Sequence, residues 1–180
     1  LLRERGITMP VVVLNADADS FDQMIANRLE PEIYSFRSLA DFADAVSHAG
    51  ETRYPVHIKL DTGMHRLGFV EQEIAQLCAT LAATPQVKAA SVFSHLNCAD
   101  MPEEDAYTRA QIALYDRMSA QLAASLPYPV IRHTANSAAI ERFPEAQFDM
   151  CRLGLGLYGF GFEHNDELKP VSTLKSRIVQ

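Results

Sequence analysis

Residues 56–96 read VHIKLDTGMHRLGFVEQEIAQLCATLAATPQVKAASVFSHL and contain one complete strand–helix–strand unit. The apolar run at 56–61 predicts a strand, and the segment 87–96 contains the next one. Between them, apolar residues spaced for one helical face predict an amphipathic helix over 71–83. Two strands joined by a helix form the basic unit of a parallel sheet.

The same alternation continues on both sides of this unit. Upstream, strands are predicted at 11–15 and 32–36, with helices over 21–29 and from 39 to a stop at Gly50. Downstream elements are a long helix between Pro102 and Pro127, a strand at 130–134, a short helix at 137–142 and a glycine-rich last strand at 150–158. About six strand–helix units predict a parallel sheet covered by helices, and the spacing leaves doubly wound and (β/α)-barrel architectures open.

The composition excludes several classes of protein. Of the 180 residues, 48% are hydrophobic and 22% charged, which is typical of a globular chain. Sixteen basic and 23 acidic residues give a net charge of −7, which argues against a nucleic-acid partner. No apolar stretch approaches the ~18 residues of a membrane span. Three cysteines form neither a disulfide framework nor a zinc spacing, so we expect a cytoplasmic protein without a metal site.

Polar residues collect at the carboxyl ends of the predicted strands, where both architectures place their reactive groups. Lys59 and Asp61 are two residues apart and therefore point to the same side of a strand. A lysine directed into a sheet interior must be paired, neutral or modified, since burying an unpaired cation is costly. A salt bridge at the sheet rim is the alternative. His95 at the next strand end is a base, a ligand holder, a positioning group or a structural residue.

Two further loops indicate a ligand. Asn136 and Ser137 follow the strand at 130–134, where they either cap a helix or bind a phosphate. Four of the eight glycines lie within 154–161, a density typical of close approach by a ligand or another backbone. Because the loops after the last two strands of a (β/α) barrel often bind phosphate, we expect a phosphorylated ligand there.

Four segments resemble one known family. KLDTGMHRLG at 59–68 closely resembles the signature of alanine racemases, pyridoxal-phosphate enzymes with a (β/α) eight-strand barrel and a C-terminal β-domain. Segments at 94–111, 133–159 and 169–180 resemble the same family in the same order. The early segment at 11–36 looks most like racemases fused to the cell-wall ligase that adds D-alanyl-D-alanine.

The resemblance implies an α/β fold of the (β/α)8 TIM-barrel type, of which this chain represents roughly strands 3 to 8 without the C-terminal β-domain. The partial barrel is expected over 1–168, with the start of the hinge over 169–180. The first residues, LLRERGITMP, lack an initiator methionine and the apolar run of a signal peptide, which favours a piece of a longer protein.

The resemblance also implies an activity. It implies interconversion of L-alanine and D-alanine with pyridoxal 5'-phosphate, supplying D-alanine for peptidoglycan, in a homodimer. Lys59 matches a lysine that is carbamylated in many members and whose carbamate would pair with Arg66. Arg66 would be directed at the phenolic oxygen of the cofactor and at the substrate carboxylate. Arg152 matches the arginine that faces the pyridine nitrogen, and His95 the histidine that hydrogen-bonds this arginine.

The remaining matches concern the cofactor phosphate. Ser137, with the amides of Gly154 and Leu155, would hold the phosphate, and Asn136 would lie beside them. His133 would line the same pocket. An arginine cannot give up its proton to the pyridine nitrogen, so the ring would remain a weaker electron sink.

Two catalytic groups of the family have no match in this sequence. The lysine that forms the Schiff base lies in a motif resembling KANAYGHG, and the opposing tyrosine comes from the partner's C-terminal β-domain. Because two-base racemisation needs an acid and a base on opposite faces of the α-carbon, we expect this chain alone to be inactive. Two alternatives remain: a non-catalytic phosphate-binding scaffold, and a racemase for another amino acid such as serine. Unpaired sheet edges also predict swapping, oligomerisation or poor solubility.

Overall fold

The sheet has five strands, all parallel to their neighbours, and their order in space follows the chain. The computed structural model describes residues 1–163 and 166–177. The strands are β1 (Val12–Val13), β2 (Glu30–Ile33), β3 (Tyr54–Lys59), β4 (Val87–Phe93) and β5 (Ile131–His133). Because the strand order does not reverse within the described ranges, the sheet is singly wound. This order is that of a (β/α) barrel and not that of a doubly wound sheet.

Each strand is followed by a helix, as the sequence predicts. The helices are α1 (Phe21–Ala26), α2 (Phe36–His48), α3 (Ile74–Ala83), α4 (Asp105–Ser125) and α5 (Ser137–Arg142). The second strand begins two residues and ends three residues earlier than predicted, because Ser35 and Ser38 form a capping box that begins α2. None of the helices in the described ranges has the length and apolar character needed to cross a membrane.

The two faces of β3 have different environments. Val56 and Ile58 are fully buried in the hydrophobic core that the sheet forms with the helices. His57 and Lys59 alternate with them and point to the opposite face, which in a barrel is the interior. The core therefore leaves a polar inner face on which the candidate site is built.

A bulge in β4 changes which residues reach this inner face. Val56 pairs with Ala89, but the next residue, His57, pairs with Ser91, so Ala90 has no partner in the register. Ala89 belongs to the hydrophobic core, whereas Ser91 contacts His57. Since side chains alternate between the two faces of a strand, one extra residue makes each later side chain face the side opposite to the one it would otherwise face.

The predicted last strand at 150–158 is wrong. Residues Leu155–Tyr158 form a 3-10 turn that ends at Gly159, whose φ of 86° is left-handed. Residues 149–152 still run beside β5 and the residues that follow it. The Asp149 amide donates to the Arg132 carbonyl and the Arg152 amide to the Ala135 carbonyl, both at 3.0 Å. The glycines therefore allow a tight turn at the site and do not continue the sheet.

Candidate functional site

Arg152 lies at the inner face, and its hydrogen bonds among residues 1–163 and 166–177 all go to neutral acceptors. Its Nη2 donates to the carbonyls of Ser94 (2.6 Å) and Thr134 (3.2 Å) and to His95 Nδ1 (3.4 Å). Its Nη1 donates to His133 Nδ1 at 2.7 Å. Burial lowers the pKa of Arg152 to about 10, so the guanidinium stays charged near pH 7. Within the described ranges, no carboxylate lies within hydrogen-bond distance of this cation.

The two histidines that accept from Arg152 are neutral. Burial, together with the charges of Arg152, Lys59 and Arg66, lowers the pKa of His95 to about 4. Burial and the Arg152 charge lower the pKa of His133 to about 3. A neutral imidazole has one ring nitrogen available as an acceptor, and both histidines use Nδ1 in this way. The cations that depress these pKa values create a positive potential suited to an anionic ligand.

Lys59 forms a buried ion pair with Glu32 of β2. Its Nζ donates to Glu32 Oε1 at 3.3 Å, and the two side chains are 8% and 3% exposed. The other carboxylate oxygen of Glu32 accepts the Asn15 amide at 2.7 Å. Burial lowers the pKa of Lys59, and Glu32 opposes this shift. The lysine is therefore paired with Glu32, one of the states that its burial requires. The side chain of Arg66, with which the family resemblance pairs a carbamylated Lys59, is exposed in the next loop.

Phe93 packs between the charged groups. Its ring stacks parallel to that of His133 at 5.1 Å. Lys59 Nζ lies 4.9 Å from the centre of the Phe93 ring, and the Arg152 guanidinium carbon lies 5.3 Å from it. The aromatic face keeps water from the two cations while attracting their charge.

The loop after β3 has the geometry that its glycines suggest. Asp61 Oδ1 accepts the amides of Gly63 and His65, both at 3.0 Å. The hydroxyl of Tyr107 donates to the Gly63 carbonyl at 2.7 Å. A side chain at Gly68 would meet the Asp61 amide at 2.6 Å, and Gly68 has a φ of 127°. This close approach holds the loop, and with it Arg66, at the rim of the site.

The loops after β5 meet at the hydroxyl of Ser137. Its Oγ accepts the amides of Gly154 (2.9 Å) and Gly156 (3.2 Å). Of the two amides that the family resemblance assigns to a phosphate together with Ser137, those of Gly154 and Leu155, the Gly154 amide lies at the serine hydroxyl. Asn136 caps α5, because its Oδ1 accepts an amide from the first turn of that helix at 3.0 Å. The two amides turned toward Ser137 also explain why this segment forms no strand.

Sequence reasoning missed four polar groups on the inner face: Glu30, Glu32, His57 and Ser91. The signal for His57 was present, since it precedes Lys59 by two residues in the same strand. Glu30 and Glu32 have the same spacing on β2. Ser91 had no such signal, because its orientation depends on the bulge in β4.

Comparison with known proteins gives consistent matches. The sequence profile of the family described as "Alanine racemase, N-terminal domain" matches residues 1–161. The alanine racemase of Sorangium cellulosum is 35% identical over 99% of this chain, which covers 48% of that protein. The crystal structure of alanine racemase from D-cycloserine-producing Streptomyces lavendulae superposes with a TM-score of 0.86 at 27% identity, covering 94% of this chain and 46% of that one.

A more distant match shows the fold alone. Alanine racemase from Bartonella henselae, solved with covalently bound pyridoxal phosphate, has a TM-score of 0.71 at 22% identity, covering 88% of this chain and 45% of that one. This chain spans about half the length of the curated relatives it matches. With the profile matched over most of its length, the chain belongs to the alanine racemase N-terminal domain family.

Proposed function

We propose that this chain forms the cofactor-binding wall of an alanine racemase, with pyridoxal 5'-phosphate as the cofactor. The observation that carries this proposal is Arg152, a partly buried cation whose hydrogen bonds go to uncharged acceptors. Such a group is pre-arranged to donate to a further acceptor on a ligand.

The residues of the site fit this cofactor. The Ser137 hydroxyl and the amides of Gly154 and Gly156, which donate to its Oγ, concentrate small polar groups of the kind that bind a phosphate. The Thr134 hydroxyl is buried without a hydrogen-bond partner in the described residues, next to the carbonyl that binds Arg152. Ser137 with the amides of Gly154 and Leu155 would hold the phosphate, and Arg152 would face the ring nitrogen. When bound, the cofactor supplies an electron sink for the carbanion that forms when an amino acid loses its α-proton.

Arg152 sets the strength of that sink. An arginine donates to a ring nitrogen but does not transfer its proton, and the pKa of about 10 keeps Arg152 protonated at neutral pH. The neutral His95 and His133 hold the guanidinium in place without cancelling its charge. A weaker sink favours return of the proton to the α-carbon over competing reactions.

Arg66 and Lys59 are proposed to act on the substrate side. The exposed Arg66 is able to bind a substrate carboxylate through two parallel hydrogen bonds. Lys59 is held in place by its ion pair with Glu32. Asn136 is proposed to lie beside the phosphate that the Leu155 amide helps to hold, as the family resemblance implies.

The finer biological assignments are part of the same proposal. We propose that the whole protein interconverts L- and D-alanine, supplies D-alanine for peptidoglycan, acts as a homodimer and is cytoplasmic. We also propose that the barrel portion ends near residue 168 and that 169–180 begins a hinge. Residues 178–180 lie outside the described part of the chain. Val171, within this segment, donates its amide to the Tyr158 carbonyl at 3.3 Å.

The 180-residue chain by itself is proposed not to racemise alanine. Lys59 is engaged with Glu32 and buried, so it is poorly placed to form a covalent bond with the cofactor. That observation favours the second candidate, non-covalent phosphate binding by a scaffold, for the chain as it stands. A two-base reaction requires the unmatched lysine and tyrosine as well.

The test has two parts. The chain is titrated with pyridoxal 5'-phosphate, reduced with borohydride and mapped by mass spectrometry, with Arg152→Gln and Ser137→Ala as variants and the exposed Arg117→Ala as the control. The protein encoded by the longest reading frame that contains this sequence is then assayed for racemisation of alanine and of serine.

We expect saturable, non-covalent binding of pyridoxal 5'-phosphate, weakened in Arg152→Gln and Ser137→Ala and unchanged in Arg117→Ala. We expect alanine racemisation only by the longer protein. A borohydride adduct at Lys59 in good yield would overturn the assignment of that lysine. Binding without racemisation by the longer protein would favour the scaffold, and a preference for serine would change the substrate.

A further inference from the structure

A continuous row of hydrogen bonds crosses the inner face from Arg152 to β2. Arg152 Nη1 lies 2.7 Å from His133 Nδ1, and His133 Nε2 lies 3.0 Å from Ser91 Oγ. Ser91 Oγ lies 2.6 Å from His57 Nδ1, and His57 Nε2 lies 2.7 Å from Glu30 Oε2. The three middle residues are at least nine-tenths buried. Water therefore does not replace these partners.

The chemistry of the two ends determines which nitrogen of each histidine faces them as donor or acceptor. Arg152 only donates, so His133 Nδ1 accepts and the neutral ring carries its proton on Nε2. That proton is donated to Ser91 Oγ, and in the neutral form of His57 the hydrogen of Ser91 is donated to His57 Nδ1. His57 carries its proton on Nε2 and donates it to Glu30, which as a carboxylate only accepts. All four hydrogen bonds point in one direction.

The sheet register brings these groups together. Ser91 pairs with His57 on one side and with β5 on the other, so it is within reach of both imidazoles. Without the bulge at Ala90, Ser91 would face the hydrophobic core and the row would be interrupted. The row therefore depends on a specific feature of the fold and not on a chance surface contact.

We propose that Ser91, His57 and Glu30 are positioning residues that hold His133 in its Nε2–H form, with the Nδ1 lone pair directed at Arg152. This inference rests on the proposed function, in which Arg152 faces the ring nitrogen of the cofactor. By fixing His133, the row fixes the plane and the donor direction of the Arg152 guanidinium. The charge of Glu30 is placed four hydrogen bonds away, where it does not pair directly with Arg152.

The opposite tautomer of His133 would be incompatible with this arrangement. With a proton on Nδ1, two N–H donors would face each other across the 2.7 Å that separates His133 from Arg152. Ser91 Oγ is the acceptor that the Nε2–H form uses, and a buried N–H without an acceptor is strongly disfavoured. Removing the serine hydroxyl therefore weakens the preference for the tautomer that Arg152 requires.

The first test needs no cofactor. Nitrogen-15 NMR of histidine-labelled chain distinguishes the two tautomers through two-bond couplings to the ring protons. In the wild type we expect both His133 and His57 as Nε2–H forms. In Ser91→Ala we expect the tautomer ratio at His133 to fall about tenfold or more, because its Nε2–H loses its acceptor. The control is Ser119→Ala, a buried serine on α4 that bonds Arg132 and lies outside the row.

A second variant tests the other end of the row. Glu30 is partly exposed, so Glu30→Gln keeps the side-chain shape with little risk to folding. The amide of glutamine both donates and accepts, so we expect His57 to become a mixture of tautomers. A proton on His133 Nδ1 in the wild type, or unchanged tautomers in both variants, would overturn the inference.

The second test separates this inference from the proposed function. Pyridoxal 5'-phosphate is titrated into the wild type, Ser91→Ala and Ser119→Ala, and we expect about tenfold weaker binding only for Ser91→Ala. If pyridoxal 5'-phosphate does not bind the wild type, the proposed function is overturned. The NMR experiment still tests the row of hydrogen bonds in that case, because it needs no cofactor. Equal binding by the wild type and Ser91→Ala would overturn the positioning role alone.

Discussion

Glu32→Gln is the change that most directly tests how the inner face tolerates a buried lysine. In the wild type, the two oxygens of Glu32 accept from Lys59 Nζ at 3.3 Å and from the Asn15 amide at 2.7 Å. Glutamine has one carbonyl oxygen, so at least one of these donors loses its acceptor. The variant also leaves Lys59 as a buried cation without its counter-ion.

The expected loss follows from this geometry. Removing one member of a buried ion pair costs about 3–5 kcal/mol, of which an unsatisfied donor accounts for roughly 1–3 kcal/mol. With side chains only 8% and 3% exposed, little of this is relieved by solvent. We expect a decrease of about 4 kcal/mol in the free energy of unfolding near pH 7. That is a large fraction of the ~5–15 kcal/mol typical of a domain.

The loss should depend on pH with a defined sign. Burial lowers the pKa of Lys59 below its ordinary value of 10.5, and Glu32 opposes this shift. In Glu32→Gln the opposing effect is absent, so the folded-state pKa falls further. Over a wider pH range below 10.5 the unfolded chain then binds a proton that the folded chain does not, and stability rises with pH. The difference from the wild type should therefore shrink as pH rises.

Urea unfolding followed by circular dichroism at about pH 7 and about pH 9.5 measures both effects. Glu32→Gln with Lys59→Met removes both charges and should recover most of the loss. Glu71→Gln, in an exposed ion pair with Arg117, is the control and should change stability by less than about 1 kcal/mol. A loss below about 1 kcal/mol for Glu32→Gln, or the same loss at both pH values, would refute the reasoning.

Three further predictions follow from the described contacts. Labelling with carbon-13 bicarbonate should show no carbamate on Lys59, because the carbamate would place a second negative charge beside buried Glu32. A carbamate signal that disappears in Lys59→Arg would contradict this prediction. Gly68→Ala should lower the free energy of unfolding in urea by about 2 kcal/mol or more, since the new Cβ would lie 2.6 Å from the Asp61 amide. The control Gly6→Ala, with open space around it, should cost about 1 kcal/mol. Equal losses would contradict the steric argument. Because β1 and β5 are terminal strands of the described sheet, light scattering should detect self-association, and a sharp monomer peak with cooperative unfolding would count against it.

The sequence by itself determined the order of elements and most of the polar groups of the site. Apolar periodicity identifies β3 and α3 because burial on one face imposes it locally. Lys59 and His95 were identifiable because they lie at or beyond strand ends, where parallel sheets collect functional groups, whereas Arg152 was identified through the family resemblance alone. The family motifs added the cofactor, which neither periodicity nor spacing could have indicated.

The tertiary structure alone decided the partners of these groups. Glu32 reaches Lys59 because β2 and β3 are adjacent, and two residues 27 positions apart give no local signal of contact. Ser91 faces the two histidines because a single unpaired residue in β4 reverses the alternation of side chains. The segment at 150–158 turns and does not extend, because the Ser137 hydroxyl binds two of its amides. Each of these outcomes depends on which strands are neighbours and in which register, and those are properties of the whole sheet.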